Sequence, residues 1–198
     1  MTQAEGEASN VDSLLKKILA CELCRDNLPR EPRPVLSFMA GARIMIIGQA
    51  PGTKAHESGK PWNDASGVRL REWLGVSNEQ FYDASVFAIV PMGFCYPGRG
   101  KSGDLPPRPE CSAKWMEVIL KRLAKIELKI LIGAYSQSYF LNTKSGALTD
   151  TVKNWRSFAP HHFPLPHPSP RNNIWLAKNP WFEESLVPEL RKTVHRLL

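Results

Sequence analysis

The stretch "ARIMIIGQAPG", residues 42–52, decides the fold that we expect of this 198-residue chain. Its first half is a compact apolar run that stops at Gly48, the pattern of a buried parallel strand entering a loop. From residue 46 to residue 67 the chain reads "IIGQAPGTKAHESGKPWNDASG", which is rich in turn formers and amides. A simple connection between a strand and a helix needs about two to six residues. We therefore expect this long polar loop to form a site or a lid.

Three further apolar runs have the composition of strands: "VFAIVP" at residues 86–91, "LKILIG" at 128–133 and "HHFPLP" at 161–166. Helical patterns alternate with them, including an N-terminal helix over residues 11–20 and an amphipathic helix over 112–126. This alternation predicts an α/β protein, a three-layer αβα sandwich around a short, mostly parallel four-stranded sheet.

The length predicts a single domain over residues 1–198, with residues 1–10 flexible. No apolar run is long enough for a membrane span, and the N-terminus lacks the pattern of a secretory signal, so we expect a cytoplasmic protein. The formal net charge of +7 suits a polyanionic partner without proving one. We expect a monomer.

In open α/β sheets, ligands bind outside the carboxyl ends of the strands. The loop that begins at Gly48 therefore lies where the fold places its crevice. The same holds for "PHPSPRN", residues 166–172, which follows the fourth strand. We expect these two loops to meet at one site.

Two motifs in these loops resemble the uracil-DNA glycosylase superfamily: "GQAPG" at residues 48–52 and "HPSP" at residues 167–170. Each motif closes a strand, and they occur in the order that this superfamily has. The resemblance implies a DNA glycosylase that hydrolyses the N-glycosidic bond of a flipped-out uracil or other deaminated base, with DNA as its partner.

The nearest pattern is the branch of that superfamily that holds an iron–sulfur cluster. The "GKPW" that follows the first motif matches the branch's "GRPF", which places Trp62 where an aromatic ring stacks on the extruded base. The four cysteines of the chain, Cys21, Cys24, Cys95 and Cys111, also fall on the pattern of that branch. The resemblance therefore implies a 4Fe–4S cluster on these residues, with zinc or no metal as alternatives.

The resemblance also assigns roles in the chemistry. His167 would stabilise the departing base, while Gln49 and its backbone would hold the water or the sugar. Asp64 is the nearest carboxylate that could position water, although an Asp just before a helix also serves as a cap. The resemblance and the loop positions together give the substrate-binding candidates Gly48, Ala50, Pro51, Gly52, Trp62, Asn63, Ser169 and Arg171.

Two departures from the family pattern leave alternatives open. Gln49 and Ala50 are uncharged where relatives carry a Glu or an Asp. No Asn follows the second strand, where uracil-excising relatives use an amide to read the pyrimidine edge. Besides a glycosylase, we therefore consider a non-catalytic member that binds DNA or damaged bases in the same crevice. A plain phosphate-binding α/β protein has little support, because "GQAPG" matches neither common glycine-rich phosphate motif.

Overall fold

The computed structural model describes residues 3–101, 103–142 and 148–198. Four strands form the central sheet in the order β2-β1-β5-β6, and every neighbouring pair is parallel. The strands of this sheet are β1 Ile44–Ile47, β2 Phe87–Ile89, β5 Leu128–Ile132 and β6 His162–Leu165. A two-stranded antiparallel hairpin, β3 Arg99–Gly100 with β4 Gly103–Asp104, lies outside the sheet.

The helices fill the connections between strands. They are α1 Gln3–Leu19, α2 Thr53–Ser58, α3 Ala65–Leu74, α4 Asn78–Phe81, α5 Pro109–Arg122, α6 Ala134–Leu141, α7 Leu148–Lys153, α8 Asn173–Lys178 and α9 Val187–His195. Short 3-10 turns span Arg25–Asn27, Trp155–Ser157 and Pro170–Asn172, and a π-helical turn spans Phe182–Leu186. Of the helices in the described ranges, none combines the length and apolar content that a bilayer crossing requires.

The sheet has an apolar core on each face, because alternate residues of a strand point to opposite sides. On one face, Ile44 and Ile46 belong to a core that includes residues of α3 and α9. On the other face, Met45 and Ile47 join residues of α1 and α5. All four β1 side chains are fully buried. The expected three-layer sandwich is confirmed, and its sheet is parallel throughout.

The structure departs from the sequence expectation at the first helix and in the first long loop. Helix α1 begins at Gln3 rather than near residue 11, because the added turns contain good helix formers such as Ala4 and Ala8. The flexibility of residues 1–10 stays a prediction. The loop after β1 also contains α2, which ends at Gly59 in a left-handed conformation.

Candidate active site

A cleft of about 650 Å³ lies outside the carboxyl ends of β1 and β6. Its volume is within the range of about 300–1,000 Å³ that is usual for small-molecule sites. The structure brings to this one cleft every candidate outside the cysteines: Gly48, Gln49, Ala50, Pro51, Gly52, Trp62, Asn63, Asp64, His167, Ser169 and Arg171. Two loops separated by more than a hundred residues therefore form a single concave surface.

Trp62 is held in an unusual backbone conformation. Its φ of 57° lies in the left-handed region, which costs a non-glycine residue about 1–3 kcal/mol. The Tyr82 hydroxyl donates to Pro61 O at 2.8 Å and lies 3.3 Å from Trp62 O. Gly67 is required beneath this turn, because a Cβ there would lie 1.8 Å from Trp62 O. The surroundings thus fix where the indole points.

The indole of Trp62 packs between the two motif loops. A Cβ on Gly48 would lie 2.9 Å from the indole atom Cζ2, so the absence of a side chain at Gly48 allows the close approach. On the other side, the Trp62 and His167 rings have centroids 5.6 Å apart and are tilted by 34°. Glycine, indole and imidazole therefore form one continuous wall of the cleft.

His167 is partly buried, and its tautomer is set by the backbone. The Ser169 N–H donates to His167 Nδ1 at 3.2 Å, which leaves Nε2 to carry the proton of the neutral ring. Burial lowers the pKa of His167 below its usual 6.5, and the charges of Asp64 and Asp104 oppose that shift. The side chain amide of Asn172 donates to His167 O at 2.7 Å and fixes the backbone. The site therefore presents a neutral imidazole.

The "GQAPG" loop is tied to its neighbours on both sides. Main-chain bonds run from Met92 N to Gly48 O and from Gly93 N to Gln49 O, each 2.9 Å long. The Gln49 side chain donates from Nε2 to Leu105 O at 2.8 Å. A glutamate at this position has no N–H to donate, so this bond explains why an amide fits here.

Asp64 acts as a helix cap. Its Oδ1 accepts the Gly67 N–H at 2.9 Å, and α3 begins at the next residue. Of the two interpretations of Asp64, the cap is therefore confirmed, and the catalytic role stays a prediction. Asp64 is in the extended conformation that is usual for an N-cap residue.

The "HPSP" loop places Ser169 and Arg171 on the opposite rim. Arg69 donates from Nη1 to Ser169 O at 3.3 Å, and the Ser169 hydroxyl accepts the Arg171 N–H at 3.3 Å. Arg171 is exposed, and its Nη1 lies 3.0 Å from where a Cβ on Gly103 would be. This rim therefore contacts the β3–β4 hairpin.

Several lining residues were not among the sequence candidates. Lys54, Arg99 and Asp104 line the cleft and are charged, whereas Ile89 and Pro91 supply an apolar wall at the end of β2. The sequence gives no local signal for Asp104, because it lies in a Pro- and Gly-rich loop far from both motifs. Only the folding of the hairpin onto the "GQAPG" loop brings it into the cleft.

The four cysteines meet at a second place, which we call the cysteine pocket. Cys21, Cys24, Cys95 and Cys111 line one small cavity of about 10 Å³, together with apolar side chains such as Phe94. Burial raises the pKa of the Cys95 thiol to about 11 and that of Cys111 to about 12. Nevertheless, within residues 3–101, 103–142 and 148–198 no three potential ligands are spaced to hold one metal ion.

The family model described as the uracil DNA glycosylase superfamily matches residues 37–191, which is most of the chain. A relative from Thermotoga maritima (strain MSB8), described as a type-4 uracil-DNA glycosylase, is 26% identical over 146 residues. That match covers 73% of this chain and 71% of the relative. Residues 37–191, which the family model matches, contain both motif loops and the whole central sheet. On this evidence, together with the cleft, the chain belongs to the uracil DNA glycosylase superfamily.

Proposed function

We propose that this protein is a DNA glycosylase that hydrolyses the N-glycosidic bond of uracil or another deaminated base flipped out of DNA. One observation carries the proposal: both family motifs and Trp62 line a single cleft of about 650 Å³. A flipped base leaves the stack at a cost of about a few kcal/mol. An aromatic face and hydrogen bonds in the cleft offset that cost.

His167 stabilises the departing base. When the bond from C1′ to the base breaks, its electron pair moves onto the base. A neutral imidazole with its proton on Nε2 donates a hydrogen bond to the resulting anion. The lowered pKa of His167 and the bond from Ser169 N to Nδ1 support this protonation state.

The wall of the cleft at the end of β2 affects which bases the protein can distinguish. The wall at the end of β2 is formed by Ile89 and Pro91, so no side-chain amide there reads the base edge. Apolar walls discriminate poorly between bases of similar shape. We therefore propose a broad range of deaminated bases, with Asn63 and the loop backbone as the polar contacts.

Cationic side chains at the rim support DNA binding. Lys54, Arg99 and Arg171 line the cleft, and phosphate contacts from such residues orient a nucleic acid. The Ser169 hydroxyl would donate a hydrogen bond to a phosphate beside the flipped nucleotide. Cationic side chains displace the counterions that are condensed on DNA. Release of these counterions becomes less favourable as the salt concentration rises, so binding of this kind weakens.

For the cysteine pocket we propose a 4Fe–4S cluster with a structural role. Four thiols around one cavity form the donor set that such clusters use. A cluster distributes its thiolates over several irons, so it does not require three ligands around one centre. The absence of such a group in the described ranges gives no support to a single zinc ion. When bound, the cluster would deprotonate the thiols and cross-link the loops that carry them.

The test is an activity panel. The protein is incubated with single strands and duplexes that carry uracil, hypoxanthine or xanthine, and alkali-labile sites are counted. Cleavage of at least one lesion supports the proposal. If no lesion is cut while binding remains salt-dependent, the second candidate, a non-catalytic binder, is correct. The uncharged Gln49 and Ala50 favour that second candidate.

The monomeric state and the cytoplasmic location of the protein remain predictions.

A further inference from the structure

We propose that Asp104, in the β3–β4 hairpin, is the carboxylate that activates the attacking water, an inference that rests on the glycosylase function proposed above. Relatives with a carboxylate in the first motif carry it at the position of Gln49 or Ala50. In this chain both positions are uncharged. The structure assigns the missing charge to another segment of the chain that reaches the same loop.

The position of Asp104 is close to the first motif. Its Oδ2 lies 3.4 Å from where a Cβ on Gly52 would be, and Gly52 is the last residue of "GQAPG". Asp104 is exposed, and its side chain lines the cleft. A carboxylate on the hairpin therefore lies against the last residue of the motif loop.

Gln49 explains how the hairpin is held in place. Its side-chain Nε2 donates to Leu105 O, and Leu105 directly follows Asp104. The residue that replaces the family's glutamate is thus the anchor of the segment that supplies a carboxylate. One hydrogen bond thus connects the uncharged motif residue to the segment that carries Asp104.

The other carboxylate of the cleft is already in use. Among the described residues, Asp64 and Asp104 are the acidic side chains that line the cleft. Asp64 accepts the Gly67 N–H at the start of α3, and a cap of this kind contributes about 0.5–2 kcal/mol to helix stability. Within the described ranges, no hydrogen bond engages the Asp104 carboxylate. Asp104 can therefore accept a proton from water without disturbing a helix.

The step balances as a hydrolysis. Water oxygen forms a bond to C1′ while the bond from C1′ to the base nitrogen breaks, and that electron pair leaves with the base. Asp104 takes the proton that the attacking water releases. His167 stabilises the base anion, which then takes a proton from solvent. The products are the free base and an abasic sugar with a hydroxyl at C1′.

The experiment measures single-turnover cleavage and DNA affinity for Asp104→Asn, Asp104→Glu and the control Asp12→Asn, with the best lesion from the activity panel. Asp12 is exposed on α1 and does not line the cleft. We expect Asp104→Asn to cut about 100- to 10,000-fold more slowly with DNA affinity equal or tighter. Asp104→Glu should recover part of the rate, and Asp12→Asn should match the wild type.

Gln49→Glu supplies a second test. Because a glutamate cannot donate to Leu105 O, we expect Gln49→Glu to be slower than wild type although it restores the family's charge.

The outcomes that would contradict the Asp104 assignment differ from those that would contradict the glycosylase function. If wild type cuts and Asp104→Asn cuts within about threefold of it, the assignment of Asp104 is wrong and the glycosylase function stands. Weaker DNA binding by Asp104→Asn at an unchanged cleavage rate would also overturn the assignment. Faster cleavage by Gln49→Glu than by the wild type would overturn it as well. If wild type cuts no lesion, the proposed function itself fails, and the role of Asp104 fails with it.

Discussion

The cleft of about 650 Å³ and the cysteine pocket of about 10 Å³ are built in opposite ways. In the cleft, hydrogen bonds from the surrounding chain hold the side chains in place, as Ser169 N does for His167 and Leu105 O does for Gln49. In the pocket, three of the four cysteines are buried and face one another among apolar groups. Hydrogen bonds thus hold the side chains of the cleft, whereas apolar packing surrounds those of the pocket.

One segment joins the two regions. Residues 95–111 begin and end at cysteines of the pocket, and their middle carries Asp104 into the cleft. The hairpin segment is therefore connected to the pocket at both ends, while Gln49 holds Leu105 beside the cleft. We expect changes in the pocket to alter stability and rate together, and changes in the cleft to alter mainly the rate.

The largest effect is expected from Cys111→Ser. Metal binding to a folded site contributes directly to folding free energy. We expect loss of bound iron and a fall of the unfolding midpoint by about 10 °C or more, equivalent to about 3 kcal/mol for a chain of this size. The measurements are iron content, visible absorbance and thermal unfolding. Ala113→Ser, exposed on the same helix, is the matched control. Iron-free wild-type protein prepared without oxygen would contradict the cluster.

His167→Ala comes next and tests the cleft. Removal of one donor to a developing anion costs about 100- to 1,000-fold in rate. We expect that loss in single-turnover cleavage, with DNA affinity and unfolding midpoint close to wild type. His161→Ala serves as the control, because His161 is exposed and does not line the cleft. Undiminished cleavage by His167→Ala would remove this residue from the mechanism.

Gly48→Ala tests whether the position of the Trp62 indole affects the cleavage rate. The new Cβ would lie 2.9 Å from Trp62 Cζ2, so the ring must shift. Because small misplacements in an active site are costly, we expect cleavage to slow about 10- to 100-fold with little change in stability. Gly6→Ala is the control, since a Cβ there meets nothing within 4 Å. An unchanged rate would show that the indole position does not matter.

The smallest effect concerns pH and His167. Burial lowers its pKa in the folded state below 6.5, so as pH falls below 6.5 the unfolded chain binds a proton that the native site does not. Stability that is present above pH 6.5 is therefore lost as pH falls towards the folded pKa. We expect wild type to lose more stability than His167→Gln between pH 7.5 and pH 5.5, measured by urea unfolding. An NMR titration that places the pKa of His167 at or above 6.5 would refute this.

The sequence alone predicted the sheet and the cleft because both depend on local patterns. The apolar run at residues 44–47 indicates a strand buried on both faces, and the turn residues after it indicate a binding loop at its carboxyl end. Since parallel strands share that edge, the "HPSP" loop had to lie near the "GQAPG" loop. Trp62 and His167 were singled out by the resemblance of their motifs to the superfamily, and the structure places their ring centroids 5.6 Å apart.

Contacts between segments that are distant in the sequence could be found only from the tertiary structure. The left-handed conformation of Trp62 and the bond from Gln49 to Leu105 depend on partners that the sequence does not place side by side. Asp104 is the clearest case, because a hairpin about fifty residues from the first motif carries it there. Sequence patterns report the burial and turns of one segment, whereas a site depends on distances between segments, and those are set only when the whole chain packs.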